Sequence, residues 1–374
     1  MKNNQKLPNI LETQDSINNF VSMISSTNTI GLDTEFVRIR TYYPKLCLVQ
    51  ISSKLGIGCI DYLKNNDLNK LWKLVYNPEI LKIFHSARQD LEILFLIKNQ
   101  IPVNIFDTQI AASLLGYPPQ MGIKQLLKDE LNTKISKAET RSDWSKRPLN
   151  SLQIEYALED VDYLIDLHNV LEKKLKAKKR YLWALEDSSR ILTNIDELFN
   201  PDSAWKKISG IKNLKNKNQF LAVKLARWRE KTAIKMDLPR QWVLSDQSLI
   251  EIAKKGPMSL AQLKNIENKS RHLQKSELEQ ILKLVKKCKE KIEGTRKINP
   301  KFNKNYKIRF DPILLEKFSK KINSKAKELK IFPEVLAGKK DLLALIQKKD
   351  NAKLLTGWRN KIIGAELSED LKNL

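Results

Sequence analysis

Strand-forming segments occur only in roughly the first 200 residues of this 374-residue chain. There, short apolar runs such as NTIGLDTEFV, KLCLVQIS and ILKIFHS alternate with segments of helical spacing, among them LNKLWKLVYN and Gln89 to Lys98. Such alternation is the pattern of a layered α/β structure. Pro102 breaks the chain before VNIFDTQIAASLL, a strand running into a helix. Ser151 to Lys179 keeps a helical period through Ile154, Ala157, Val161, Leu164 and Leu167. Beyond residue 200 the strand signals stop. FLAVKLARWREKTAIKMDLPR, DQSLIEIAKKGPMSLAQLKNI and SELEQILKLVKKCKEKI read as helices parted by proline and polar breaks. The expected organisation is an α/β domain over 1–200, an all-α domain over 201–291, a basic linker over 292–310 and further helices over 311–374.

Charge divides along the same line. Residues 1–200 hold 26 Lys+Arg against 24 Asp+Glu, whereas residues 201–374 hold 42 against 19. Genome-wide lysine enrichment would raise both halves alike, so the asymmetry points to a chemical module joined to one that holds a polyanion. Cys47, Cys59 and Cys288 are odd in number and lack CxxC spacing, which argues against a disulfide framework or a zinc site. The polar start MKNNQKLPNI lacks the apolar core of a signal peptide, and no run approaches a membrane span. A soluble, cytoplasmic protein with no membrane partner is expected.

The chemistry lies in acids set within or beside apolar segments, where an uncompensated charge is costly. Asp33 and Glu35 in GLDTEF are i and i+2 on a strand and share one face, with Leu32 and Thr34 opposite. Adjacent carboxylates repel and raise each other's pKa unless a cation lies between them, and oxygen ligands suit Mg²⁺ or Mn²⁺. Asp90 in HSARQDLEIL starts a helix after a buried strand. Tyr156 and Asp160 in YALED are i and i+4 on a helix, so a phenol and a carboxylate share a face and the phenol can orient an attacking water. Singly, each motif also fits a plainer role: a solvated strand end, a helix cap or an amphipathic helix.

Together, in this order, the motifs resemble those of the DEDD exonuclease superfamily and its DEDDy branch. The sister branch carries histidine five residues before the last aspartate, where this chain has Glu155. The resemblance narrows further. GLDTEFVRIRTYYPKLCLVQIS, HSARQDLEIL, IFDTQIAASLLGY and SDWSKRPLNSLQIEYALEDVDYL are similar to the bacterial ribonuclease D family. LARWREKTAIKMDLPRQWVLSDQSLIEIAKKGP resembles the HRDC domain, and LLTGWRNKIIGAEL that family's second, divergent HRDC-like domain.

The resemblance implies an α/β ribonuclease H-like exonuclease domain followed by two all-α HRDC-type domains. It implies metal-dependent 3′→5′ hydrolysis of RNA, precursor transfer RNA among the substrates, by a monomer using two divalent ions, Mg²⁺ or Mn²⁺. Asp33, Glu35, Asp90 and Asp160 would be the metal ligands and Tyr156 would orient the nucleophile. Substrate contacts are expected from Phe36, stacking on a terminal base, from His85 and Gln89 at the ribose, and from Arg147 at a phosphate. Trp144 and Trp228 read as packing. Two rival readings are a DNA proofreading or repair exonuclease, and a catalytically dead RNA-binding scaffold. A lost carboxylate would mark the scaffold, and all four are present.

Overall fold

A computed structural model describes residues 10–64, 67–135, 142–193, 195, 199–266, 273–294, 312–347 and 352–373. The chain divides into two units. One comprises residues 1–37, 46–193 and 307–374, the other 38–45 and 194–306.

In the first unit five strands form one sheet: β1 Thr29–Val37, β2 Lys45–Ser53, β3 Gly56–Asp61, β4 Leu81–Phe84 and β5 Ile105–Asp107. Their order is β3-β2-β1-β4-β5. β2 and β3 are antiparallel, while β4 lies parallel to both β1 and β5, with Gly31 opposite Ile83 and Ile83 opposite Phe106. β1 is thus central, which explains its apolar run. Around the sheet stand α1 Gln14–Ile24, α2 Asn69–Val75, α3 Arg88–Lys98, α4 Thr108–Leu115, α5 Ile123–Leu131, α6 Ser151–Asp162, α7 Leu164–Ala177 and α8 Tyr181–Ser189. The long helix expected over 151–179 is two helices that meet at Tyr163. No proline or glycine marks that break, and both helices bury an apolar stripe, so the periodicity runs across it.

The described residues within 311–374, expected as a divergent second HRDC-like domain, share a core with the α/β elements. Phe318, Ile322 and Ala326 of helix Pro312–Leu329, with Leu336, Trp358 and Leu367, belong to the same buried cluster as Phe106, Ala111, Leu167 and Leu171. Buried polar anchors fix the join. Arg180 donates from Nη1 to the Leu114 carbonyl and from Nη2 to that of Leu329, both at 2.7 Å. Arg359, 1% exposed, makes a bidentate pair with Asp187 at 2.5 and 2.8 Å. Trp358 stacks on Trp183 with centroids 4.3 Å apart.

The second unit is helical, built on Asn216–Met236, Asp246–Lys255, Leu260–Ile266 and Lys275–Gly294. Its core gathers Leu225, Leu249, Ile252, Leu263, Ile281 and Val285. Trp228 packs against this core and donates from Nε1 to Gln280 at 3.0 Å. Residues 38–45, read from sequence as part of the α/β domain, belong to this unit. Tyr42 is buried there; its hydroxyl donates to Glu230 at 2.5 Å, and the Arg240 guanidinium lies over its ring at 4.5 Å. Asp237 accepts the backbone N–H groups of Tyr42 and Tyr43. Of the expected basic linker, positions 295–310 lie outside the described residues, and 292–294 complete helix Lys275–Gly294.

Candidate active site

The site is built where α6 crosses β1. Gly31 shares the β1 face of Asp33 and Glu35. A Cβ at Gly31 would meet Ser52 Oγ at 2.4 Å and Leu164 Cβ at 3.0 Å, so only glycine admits the start of α7 this close. Ser52 Oγ donates to the Val161 carbonyl at 2.6 Å and ties the end of α6 to the sheet. At its other end α6 is held by a capping box between Asn150 and Gln153. The helix so fixed presents Tyr156 and Asp160 towards β1. Oxygens of Asp33, Glu35 and Asp160 all lie within 4.8 Å of one another.

Asp90 joins from the first turn of α3, buried at 5% exposure. Its Oδ1 accepts the Thr34 backbone N–H at 3.1 Å and the Thr34 hydroxyl at 2.6 Å. The turn before α3 is held by a further buried acid, Asp107. Its carboxylate accepts the N–H groups of Ser86 at 3.2 Å and Ala87 at 2.8 Å, and caps α4 through Gln109 N–H at 2.8 Å. Ser86 itself is left-handed, at φ 65°. Thr34 and Asp107 are positioning residues that sequence reasoning missed. The Asp-Thr-Gln step after a strand was a legible cap signal for Asp107; Thr34 gave none, because its partner lies 56 positions away.

The electrostatics are those of a cation site. Burial, then repulsion from Asp90, Asp160 and Glu35, raises Asp33 well above the usual carboxylate range. Burial first, and repulsion from Asp160 and Asp90 next, pushes Glu35 up to about 9. Burial brings Asp90 to about 7 against the lowering hydrogen bond from Thr34, and Asp160 to about 6 against the hydrogen bond from Tyr156 and the positive charge of Lys124. Tyr156 is raised by burial and the nearby carboxylates, so it stays a phenol. An all-oxygen donor set whose members resist joint ionisation fits hard divalent cations.

A linkage effect follows. Without metal the folded protein holds protons on Glu35, Asp90 and Asp160 that the unfolded chain releases near pH 4, so stability falls as pH rises. Melting temperature in EDTA should therefore decline from about pH 5 to about pH 9, and saturating Mg²⁺ should flatten or reverse the trend. Identical pH profiles with and without the cation would rule out this account.

A cleft of about 430 Å³ opens over these residues, lined also by Phe36, His85, Gln89, Ser142 and Trp144. Phe36 and Gln89 both line this cleft. His85 lines the cleft, but its ring nitrogens are engaged: Nε2 faces the Met121 carbonyl at 3.0 Å and Nδ1 the Thr108 hydroxyl at 2.9 Å. A carbonyl only accepts, so Nε2 carries the proton; burial lowers the pKa and keeps the ring neutral. Hydrogen bonding to a ribose, as expected from sequence, would require breaking one of these contacts. Arg147 does not line the cleft. It pairs with fully buried Asp61 at 2.6 and 2.7 Å and donates to the carbonyls of Trp144, Lys146 and Cys47. Its guanidinium is a structural clamp, in place of the expected phosphate contact. Trp144 is buried as expected and packs beside Tyr156, with centroids 6.0 Å apart.

The 3′-5′ exonuclease family matches residues 8–176 and the HRDC domain family residues 219–285. Ribonuclease D of Bartonella henselae is 33% identical over 94% of this chain and 87% of its own length. That of Gluconacetobacter diazotrophicus is 31% identical over 96% and 91%. Among solved structures, Escherichia coli RNase D, described as an exoribonuclease involved in structured RNA processing, superposes with a TM-score of 0.85 at 27% identity. That match covers 97% of this chain and 98% of the other.

Proposed function

Because the chain belongs to the ribonuclease D family and is a 3′→5′ exoribonuclease, we propose that it trims precursor transfer RNAs and other small structured RNAs. It acts as a cytoplasmic monomer and releases nucleoside 5′-monophosphates with two divalent cations, Mg²⁺ or Mn²⁺. The observation that carries the metal-site reading is the trio of oxygens from Asp33, Glu35 and Asp160, with Asp90 held beside them by Thr34.

Asp33, Glu35, Asp90 and Asp160 would hold the cations. When bound, such a pair activates water and stabilises the leaving oxygen of an in-line displacement. Tyr156, kept protonated by burial and its carboxylate neighbours, donates to Asp160 and orients the attacking water. Phe36 offers a ring for the terminal base, and Gln89 an amide for the ribose. Residues 1–37 and 46–193 make up most of the exonuclease domain and 201–291 the HRDC domain, and the described helices within 311–374 complete the exonuclease core. The net charge of residues 201–374 favours gripping RNA through phosphates, with little sequence preference and strong salt dependence.

The test is a 3′-extended transfer RNA precursor incubated with Mg²⁺ or Mn²⁺, its products resolved by chromatography. Nucleoside 5′-monophosphates should appear one at a time, and a DNA strand of the same 3′ sequence should be degraded far more slowly. Internal fragments or 3′-monophosphates would overturn the reading, and equal rates on DNA would favour the repair-exonuclease alternative. In the same assay Tyr156→Phe should lower kcat roughly a hundredfold, with metal affinity also weakened because the phenol's bond to the ligating Asp160 is lost.

A further inference from the structure

Gln50 lies in β2 and is completely buried. Among the described residues neither its Nε2 nor its Oε1 has a hydrogen-bond partner. A buried amide in that condition carries its full desolvation penalty, and native proteins rarely retain one without a function. Apolar residues of similar size flank it on β2, so packing alone does not require glutamine there.

Its position follows from contacts already described. Ser52 and Gly31 are neighbours across β2 and β1, both against the end of α6 and start of α7. From Ser52 back to Leu48, β2 passes from Val161 to the cluster holding Ala157 and Tyr156. From Gly31 forward to Glu35, β1 passes from Leu164 to Asp160 and Tyr156. The two strands therefore run antiparallel beneath α6, and Gln50 stands level with Asp33 on the same face of the sheet. Across β2, Gln50 is the register partner of Cys59, whose thiol is raised by burial and by the carboxylates of Asp61, Glu35 and Asp33. Side chains directly opposite on neighbouring strands have Cβ atoms about 4.5–5.5 Å apart, within reach of a glutamine amide.

We propose that Gln50 is a positioning residue for the cation site: with cations bound, its Nε2 donates to the Asp33 carboxylate and holds that ligand in orientation. Ligating carboxylates are themselves hydrogen-bonded in metal sites, and losing such a partner typically costs 10–100-fold in affinity. The inference rests on the metal-site reading given above, and the experiment separates the two.

Mn²⁺ is titrated calorimetrically into the metal-stripped full chain and into Gln50→Leu. The variant should bind Mn²⁺ about tenfold more weakly yet melt in EDTA at the same or a higher temperature, since the orphaned amide is gone. Unchanged affinity in the variant, with the parent binding normally, overturns the role of Gln50. A parent that binds no Mn²⁺ overturns the metal-site reading instead. Should Gln50→Leu not fold, the parent labelled with ¹⁵N-glutamine carries the test. The Gln50 side-chain amide should shift and exchange more slowly with solvent when Mg²⁺ is added, and an unmoved resonance overturns the proposal.

Discussion

Asp33→Asn should lower metal-dependent nucleotide release by roughly a thousandfold or more, equivalent to about 4 kcal/mol of barrier, while RNA binding at fixed salt is largely kept. Asp33 is the centre of the carboxylate cluster: Asp90, Asp160 and Glu35 all act on it, and all raise its pKa. An amide keeps the shape but removes the charge that attracts a cation. The same change relieves repulsion, so the variant should melt at a higher temperature than the parent in EDTA. Those opposite movements of activity and stability are what a functional acid cluster predicts. Full activity in Asp33→Asn, or in the parent with excess EDTA, would sink the mechanism.

Arg359→Ala should destabilise the exonuclease unit by about 3–5 kcal/mol, seen as a fall in melting temperature of roughly 10 °C. The guanidinium satisfies Asp187 twice and also donates to the carbonyls of Leu336 and Val335. Its removal leaves a carboxylate and two carbonyls without their partner in a largely buried place. Replacing both members, Arg359→Met with Asp187→Leu, should recover much of the loss, because no unpaired charge remains. Ending the chain at residue 311 should be worse still, since Phe318, Ile322, Trp358 and Leu367 leave the shared core. Such a truncated chain should fail to cleave even a short oligonucleotide. Cleavage at the parental rate would show that the C-terminal helices are dispensable for the nuclease fold.

These two predictions differ in how far the sequence reaches. Asp33, Glu35, Asp90, Tyr156 and Asp160 were legible because each sits in a short pattern with its own local logic: strand alternation, a helix start, an i,i+4 pair. The α/β half and the helical half were legible because hydrophobic period is a local property. Arg359 and Asp187 offered no comparable signal, being 172 positions apart. Nor did TYYP announce that Tyr42 would bond Glu230, or SKRPL that Arg147 would clamp Asp61. A charged side chain near a motif reads as a substrate contact until its partner is visible.

The sequence by itself determined the chemical groups of this protein, their order, and the secondary structure that carries most of them, since these depend on neighbours a few residues away. Tertiary structure alone decided which groups are free to act. It committed Arg147 and the nitrogens of His85 to the scaffold, merged the described helices of 312–347 and 352–373 with the nuclease core, and left the Gln50 amide buried without a partner among the described residues. Burial and pairing across the sheet are long-range properties, and the pKa of an acid or the vacancy of a donor is fixed only when distant segments close around it.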